Sequence, residues 1–459
     1  MERFLEINAA ITTWIWGPPI LILFMGTFVF MTIFTGFVQF KYVKQILRGT
    51  FGKMFGKKEG DGTVSAFQAA TTALGATVGA SNMLGVPIAI AMGGPGAVFW
   101  MWIAALFGVG MKYSEIVLSV KYRFINEEGV YTGGPAYYLS KGLGKKWVGS
   151  FYAIMLILFL ATSIPTQTVA VVDTASTLGI PGIITALVMA ALVCLVVYGG
   201  ITRIAKVSEF LVPFMALSYL IIAWIIIALN ITALPACIGV IFKSAFTPTA
   251  ALGGFGGAGI VAGMRWGMAR GIYSNEAGLG EFTIAHAAAT TDHPCRQAAW
   301  GIFEVIVDTL IICTTSAFLA LTTGLWTATD AAHASTIPTL AVQGLLGEKF
   351  GSVVMTVMIL LFAFTTILVG IHYGSKQSEY LFGVKAVKYV VAFYVATILA
   401  GALGKMAFFF NFVDIFLALV VLPNVIGVCI MHKQVKEQID DFYGNPKYFP
   451  ELQNKKNKK

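Results

Sequence analysis

Three short runs of small and polar residues interrupt an otherwise apolar chain, and each holds groups suited to a cation or a zwitterion. The first, Ala73 to Pro87, reads A-L-G-A-T-V-G-A-S-N-M-L-G-V-P. Gly75 and Gly79 flank Thr77 and Val78, and the helix N-cap formers Ser81 and Asn82 follow. Backbone in hydrocarbon must pair with itself. A helix that comes apart midway frees carbonyls, which attract a cation, and amides, which attract an anion. An unwound stretch near 75–80 is therefore expected, its carbonyls holding Na+ and the amides of Gly79, Ala80 and Ser81 facing a carboxylate. The competing reading is a small-residue face used only for packing.

The second run, Met268 to Gly280, places Arg270, Asn275 and Glu276 where lipid should be. Such groups are costly unless they face a cavity or a partner. The chain is expected to unwind near 273–277, so that its carbonyls and Asn275, with Ser274 beside them, hold an ammonium. Two roles stay open for Glu276: neutralising that ammonium, or bonding to backbone or Arg270. The third run is Phe364-Thr365-Thr366-Ile367. Paired hydroxyls suit Na+, a hard cation that prefers oxygen, or they bond back to their own helix. Gln167, in Ser163-Ile-Pro-Thr-Gln167, either packs against another helix or closes one side of a pocket. A short pocket lined by Thr77 and Gln167 would exclude large side chains.

What must position these runs is a set of membrane helices. Of 459 residues, 57% are hydrophobic and 12% charged, and mean hydropathy is +0.80. Soluble domains carry about twice that charged fraction, so lipid is the natural solvent. A span needs about 20 apolar residues. Eleven stretches qualify: 18–38, 64–92, 97–120, 148–172, 183–198, 207–229, 258–289, 298–322, 352–372, 387–403 and 408–431. The second and seventh are long and Gly-broken. No cleavable leader is expected at the N-terminus.

The basic residues set an orientation. Lys41, Lys44, Arg48, Lys53, Lys57 and Lys58 follow the first stretch, and later clusters fall in alternate loops up to the KKNKK tail. This puts the N-terminus outside and the C-terminus in the cytoplasm, in the cell membrane. The net charge of +9 belongs to this pattern and does not call for a nucleic-acid partner. Stretches two to six and seven to eleven form two five-helix units of opposite topology, each opening with a broken helix, as in inverted-repeat transporters. The divisions are 1–60 (an extra helix and basic loop), 61–230 (first repeat), 231–431 (outer loop and second repeat) and 432–459 (tail).

The run G-A-T-V-G-A-S-N-M-L-G-V-P is similar to the broken first core helix of the leucine-transporter fold. The resemblance implies one sodium site at the carbonyls of Gly75 and Val78 with Thr365 and Thr366, since that fold uses hydroxyls on its eighth core helix. It implies a second at Thr77 and Asn82. Gly93-Gly-Pro-Gly-Ala-Val-Phe-Trp, Gly133-Gly-Pro-Ala-Tyr-Tyr-Leu139 and Ser274-Asn-Glu-Ala-Gly-Leu-Gly280 resemble the alanine or glycine:cation symporter family. That resemblance implies sodium- or proton-driven uptake of alanine or glycine, with no cofactor beyond Na+ as coupling ion. Another small solute on the same scaffold is the runner-up.

Lys112 and Glu115, three apart, and Glu304 and Asp308, four apart, are expected near cytoplasmic ends, pairing or snorkelling. An intramembrane enzyme would need a nucleophile with its base or clustered metal ligands. No HExxH or GxSxG occurs, and the five cysteines lack metal spacing.

Overall fold

The computed structural model describes residues 12, 14–50, 52, 60–247, 259–404 and 406–449. The KKNKK tail and the basic residues Lys53, Lys57 and Lys58 lie outside the described residues. The described residues are helical, with one two-stranded hairpin among them, β1 (Phe124–Ile125) and β2 (Tyr131–Thr132).

Helix α1, Pro18–Phe34, starts with proline in its first turn. Helix α2, Ala66–Thr77, opens with a reciprocal cap. Gln68 N donates to Ser65 Oγ (3.1 Å) and Ser65 N to Gln68 Oε1 (3.0 Å), satisfying two amides that have no helical partner. After two non-helical residues comes α3, Ala80–Gly93, bent 42° from α2. There follow α4 (Gly96–Lys121), α5 (Lys146–Ser176), α6 (Gly182–Val197) and α7 (Gly200–Leu229). The segment after α7 holds α8, Leu234–Phe246.

Helix α9, Ile260–Asn275, stops where Glu276 takes a left-handed φ of 58°. Gly278 and Gly280 follow, at φ 87° and 81°. Helix then resumes for five residues as α10, Thr283–Ala287. The remainder comprises α11 (Pro294–Thr322), α12 (Ile337–Leu346), α13 (Glu348–Phe382), α14 (Val387–Gly401), α15 (Met406–Ile430) and α16 (His432–Gly444). Inside α11 the residues Ile306–Cys313 form wide π turns, which open a helix locally and often mark sites.

Each of the eleven expected stretches contains helix. Seven of the described helices are long and apolar enough to cross a bilayer, and the bent α2–α3 pair makes an eighth. Helices α1 and α6 are apolar but have only 17 and 16 residues. The segment between α7 and α9 also contains helix. At 13 residues α8 is too short to span, about 20 Å, and it lies against α4 instead.

Large exposed apolar side chains crowd α6 and α7, among them Leu195, Phe210, Leu217, Ile221 and Leu229. A surface of that character faces lipid. Helix α5 packs along α13 and α15, and α4 packs along α9, α11 and α1. The two broken helices lie between these groups: α2 contacts α7 and α13, and α3 contacts α9.

Candidate functional site

The break in the second stretch leaves carbonyls without amides. Val78 (φ −84°, ψ 81°) and Gly79 (φ −111°, ψ −172°) are not helical. Gly79 N turns to Thr77 O and to Asn82 Oδ1, both at 3.0 Å. The carbonyls left over meet α13: Thr366 Oγ1 lies 3.2 Å from Gly75 O, 3.3 Å from Ala76 O and 3.1 Å from Phe362 O. A hydroxyl has one proton, so three carbonyls compete for it. Such a surplus of oxygen suits a hard monovalent cation. Thr365 is turned away. Its hydroxyl donates back to Phe362 O (3.0 Å) and Leu361 O (3.3 Å) and touches Met215 Sδ. Of the threonine pair, only Thr366 reaches the broken backbone.

A second polar knot joins the two broken helices to the π turns of α11. Asn82 Nδ2 donates to Asp308 Oδ1 (2.5 Å) and Ser274 Oγ (2.9 Å). Ser274 Oγ donates to Asp308 Oδ2 (2.8 Å), and so does Thr309 Oγ1 (2.7 Å). Asn275 Nδ2 donates to Thr309 Oγ1 at 3.2 Å, while its Oδ1 accepts from Ala277 N. Asn82 and Asp308 are fully buried.

The charges expected to pair or snorkel are buried inside the helix bundle. Lys112, Glu115, Glu304 and Asp308 all have no solvent exposure. Lys112 Nζ donates to Asn275 O (2.9 Å) and faces Glu304 Oε2 at 3.2 Å. Glu304 Oε1 is 2.8 Å from His286 Nε2. Glu115 Oε2 accepts from Gly278 N (3.2 Å), and its other oxygen accepts from Asn424 Nδ2 (2.5 Å). The physical reason is the second break. Unwinding after Asn275 frees backbone groups in a water-poor interior, and side chains on α4 satisfy them. A buried ion pair of this kind is costly to split, about 3–5 kcal/mol if one partner is removed.

Between α2–α3, α5, α9 and α13 lies a small cavity of about 30 Å³. Thr77, Ser81, Gln167, Glu276 and Thr366 line it, and Phe159, Leu160, Ile164 and Ile367 supply apolar wall. Gly79 borders it: a Cβ there would stand 2.7 Å from Thr366 Oγ1 and 3.6 Å from Gln167 Oε1. Thr77 itself returns its hydroxyl to Leu74 O (3.3 Å). Arg270 donates to both oxygens of Asp414 (3.1 and 3.2 Å), so the expected option of an Arg270–Glu276 bond gives way to Arg270–Asp414. The left-handed turn at Glu276 aims its side chain into the cavity, where Oε2 has no partner among the described residues.

The structure thus brings Thr77, Gly79, Ser81, Gln167, Glu276 and Thr366 together. Gly75, Val78 and Ala80 form the break beside them. Asn82, Ser274 and Asn275 stand in the adjoining knot rather than at the cavity wall. Sequence reasoning missed Asp308, Glu281, Tyr273 and Tyr373. The signal for the acids was a charge inside an apolar stretch.

The model of the "Sodium:alanine symporter family" matches residues 1–456. The uncharacterized transporter YflA of Bacillus subtilis is 44% identical, over 98% of this chain and 96% of the relative. The sodium/alanine symporter AgcS of Methanococcus maripaludis is 36% identical, over 96% and 97%. The probable sodium/glutamine symporter GlnT of B. subtilis is 33% identical, over 96% and 91%. Among solved structures, MhsT in complex with L-phenylalanine superposes with TM-score 0.59 at 10% identity, covering 85% of this chain and 90% of that one. A Na+-coupled sialic acid symporter gives 0.51 at 12% identity, over 95% and 86%. At such identities the likeness concerns fold alone, and the fold is that of the leucine transporter.

Proposed function

Because the chain belongs to the sodium:alanine symporter family, we propose that it carries a small neutral amino acid, alanine or glycine, into the cell together with Na+. It is a multi-pass membrane transporter and not an enzyme. In this proposal eleven spans cross the cell membrane, with the N-terminus outside, the C-terminus inside and five-helix repeats over 61–230 and 231–431.

One observation carries the reading: α2 comes apart beside Thr366, leaving Gly75 O and Ala76 O at 3.2 and 3.3 Å from one hydroxyl. Na+ taken up there, with Val78 O at the same break, replaces the single shared proton with a full charge. A second Na+ is proposed at the knot of Asn82 and Asp308, next to Thr77. Substrate carboxylate faces the amides of Gly79, Ala80 and Ser81. The ammonium lies against Gln167 and Glu276, with the backbone of Ser274 and Asn275 behind it.

Coupling follows from order. An unwound backbone loses conformational freedom when it holds an amino acid, at about 1–2 kcal/mol per residue fixed. A cation that has already fixed 75–79 removes part of that cost, so each ligand raises affinity for the other by the same factor. Rocking of the loaded helices then exposes the cavity on the opposite side.

The test is uptake of labelled glycine, L-alanine and D-alanine into proteoliposomes, with and without an inward sodium gradient. Saturable uptake that needs the gradient is the expected result. Uptake that ignores sodium and follows an imposed pH gradient would replace Na+ by a proton; no uptake of any of the three moves the substrate elsewhere.

The threonine pair offers a sharper check. Thr366→Val should raise the sodium concentration for half-maximal uptake by about tenfold, the worth of one lost ligand to a charged group. Thr365→Val should change it by less than about threefold, because its hydroxyl serves its own helix. Equal effects, or none, in sodium titrations of uptake would remove the cation from this break.

A further inference from the structure

The segment leading into α2 is joined to the segment that follows α10 by main-chain hydrogen bonds. Thr63 N and Val64 N donate to Ala288 O (2.8 and 3.1 Å), Thr290 N donates to Val64 O (2.7 Å), and Thr291 N donates to Asp61 O (3.3 Å). Asp61 thereby bridges Thr291, and Val64 bridges Ala289. Gly62 permits the approach, because a Cβ there would collide with the backbone of Ala289 and Thr290. Arg123, just past the end of α4, closes this seam. Its Nη1 donates to Ala289 O (2.5 Å) and Ala287 O (3.3 Å), and its Nη2 donates to Asp61 O (2.8 Å) and Thr291 O (3.2 Å). The rigid fork of a guanidinium can hold carbonyls of two segments at once; the point charge of a lysine cannot hold that geometry. From α11, Gln297 Nε2 reaches Ala66 O at 3.3 Å.

The side of α2 that faces α7 is held differently. Val64 and Ala69 share a small apolar cluster with Ile201 and Ala205 of α7. Among the described residues, the side-chain hydrogen bond between α2 and α7 is Gln68 Nε2 to Glu209 Oε2, at 2.9 Å. Open space lies on that side too: a cavity of about 320 Å³ is bordered by Val130 of the hairpin, Ile201 and Ile204 of α7, and His372 and Lys376 of α13. Packed apolar helices slide past one another readily. Parting the seam would instead break all of its hydrogen bonds together.

We propose that Arg123 makes the start of α2 and the segment 287–291 one moving piece, so that this face of the carrier opens by parting α2 from α7 at Gln68–Glu209, with the seam to α10 kept shut. The proposal rests on the transport reading above and adds the line along which the protein opens. Arg123 is a positioning residue that acts through the two backbone segments it ties.

The experiment uses the full chain in liposomes with two cysteine pairs, each closed by a short, reducible bifunctional thiol reagent and compared with the unaltered chain treated alike. Linking Asp61→Cys to Thr291→Cys, across the seam, should leave sodium-driven uptake of labelled L-alanine within about twofold; linking Gln68→Cys to Glu209→Cys should lower it at least about tenfold, reversed by reduction. Arg123→Gln alone should lower uptake about tenfold, and the 61–291 link made in that variant should restore it to within about threefold, which a loss of folding would not allow. Uptake blocked by the 61–291 link, or unaffected by the 68–209 link, overturns the proposal, even if Arg123→Gln does not fold. Hydrogen exchange provides the check that is independent of transport. The amides of Thr63, Val64 and Thr290 should exchange equally slowly in sodium and in potassium, and at least about tenfold faster in Arg123→Gln. Faster exchange of these three amides in the unaltered chain on replacing sodium by potassium means that the seam opens, and the proposal falls. If L-alanine is not taken up at all while exchange behaves as stated, the transport reading falls and the Arg123 seam stands.

Discussion

Asp308→Ala is expected to lower sodium-driven uptake by at least about 100-fold. The side chain accepts from Asn82, Ser274 and Thr309, at 2.5, 2.8 and 2.7 Å. It is the charged group of the π turns of α11 that both broken helices meet, with Cys313 Sγ beside it. Its removal takes the charged acceptor away from the Asn82 amide and the Ser274 hydroxyl, leaving them Cys313 Sγ and each other. Two hydrogen bonds to a charged group at about 1.5 kcal/mol each come to about 3 kcal/mol, which is the 100-fold stated. Asp308→Asn separates geometry from charge. It keeps an acceptor in place and removes the negative field on a cation. The half-saturating sodium concentration should then rise about tenfold, while the melting temperature moves by only a few degrees. A sodium curve that stays put in Asp308→Asn would take the second cation out of this knot.

Gly79→Ala should abolish transport, at least about 30-fold, without unfolding the protein. At φ −111° and ψ −172° the backbone there accommodates any L-residue, so the penalty is confined to what the new methyl meets. It meets Thr366 Oγ1 at 2.7 Å, inside van der Waals contact. The hydroxyl must rotate off Gly75 O and Ala76 O, and the methyl takes its place between α13 and the break. Gly85→Ala, on the same broken stretch, is the control, because its Cβ would find only Ser81 Cβ at 3.9 Å. Uptake and thermal melting measured on both variants decide the matter. Near-normal uptake in Gly79→Ala would mean that the gap between α2–α3 and α13 is not where the cation sits.

The breaks were legible in the sequence because glycine, serine and asparagine inside an apolar stretch have few other uses in lipid. Which hydroxyl faces the break was not. Thr365 and Thr366 are consecutive, so their side chains point about 100° apart; Thr365 Oγ1 turns to Met215 Sδ and its own helix while Thr366 Oγ1 turns to Gly75 O. Asp308 escaped for a different reason. Its stretch was taken to begin at residue 298, near enough to place the acid by a membrane surface. The helix starts at Pro294, and Asp308 lies 14 residues in, about 21 Å along the axis, at mid-helix. Lys112 and Glu115 stand two to three turns and under two turns from the end of α4, positions that read as snorkelling sites; their burial follows from the neighbouring helix, which unwinds and leaves Asn275 O and Gly278 N to be satisfied. Glu281 lies inside the seventh apolar stretch, just past the Gly278–Gly280 turn, where its charge was not singled out.

Glu276 holds a left-handed backbone that a residue with a Cβ occupies at about 1–2 kcal/mol, and it carries an ionisable group into a dry interior. Glycine at 276 would relieve both burdens at once. Any search for heat-resistant forms of this molecule will therefore be drawn to position 276 and rewarded there with dead carriers. At this one residue durability and work are selected in opposite directions.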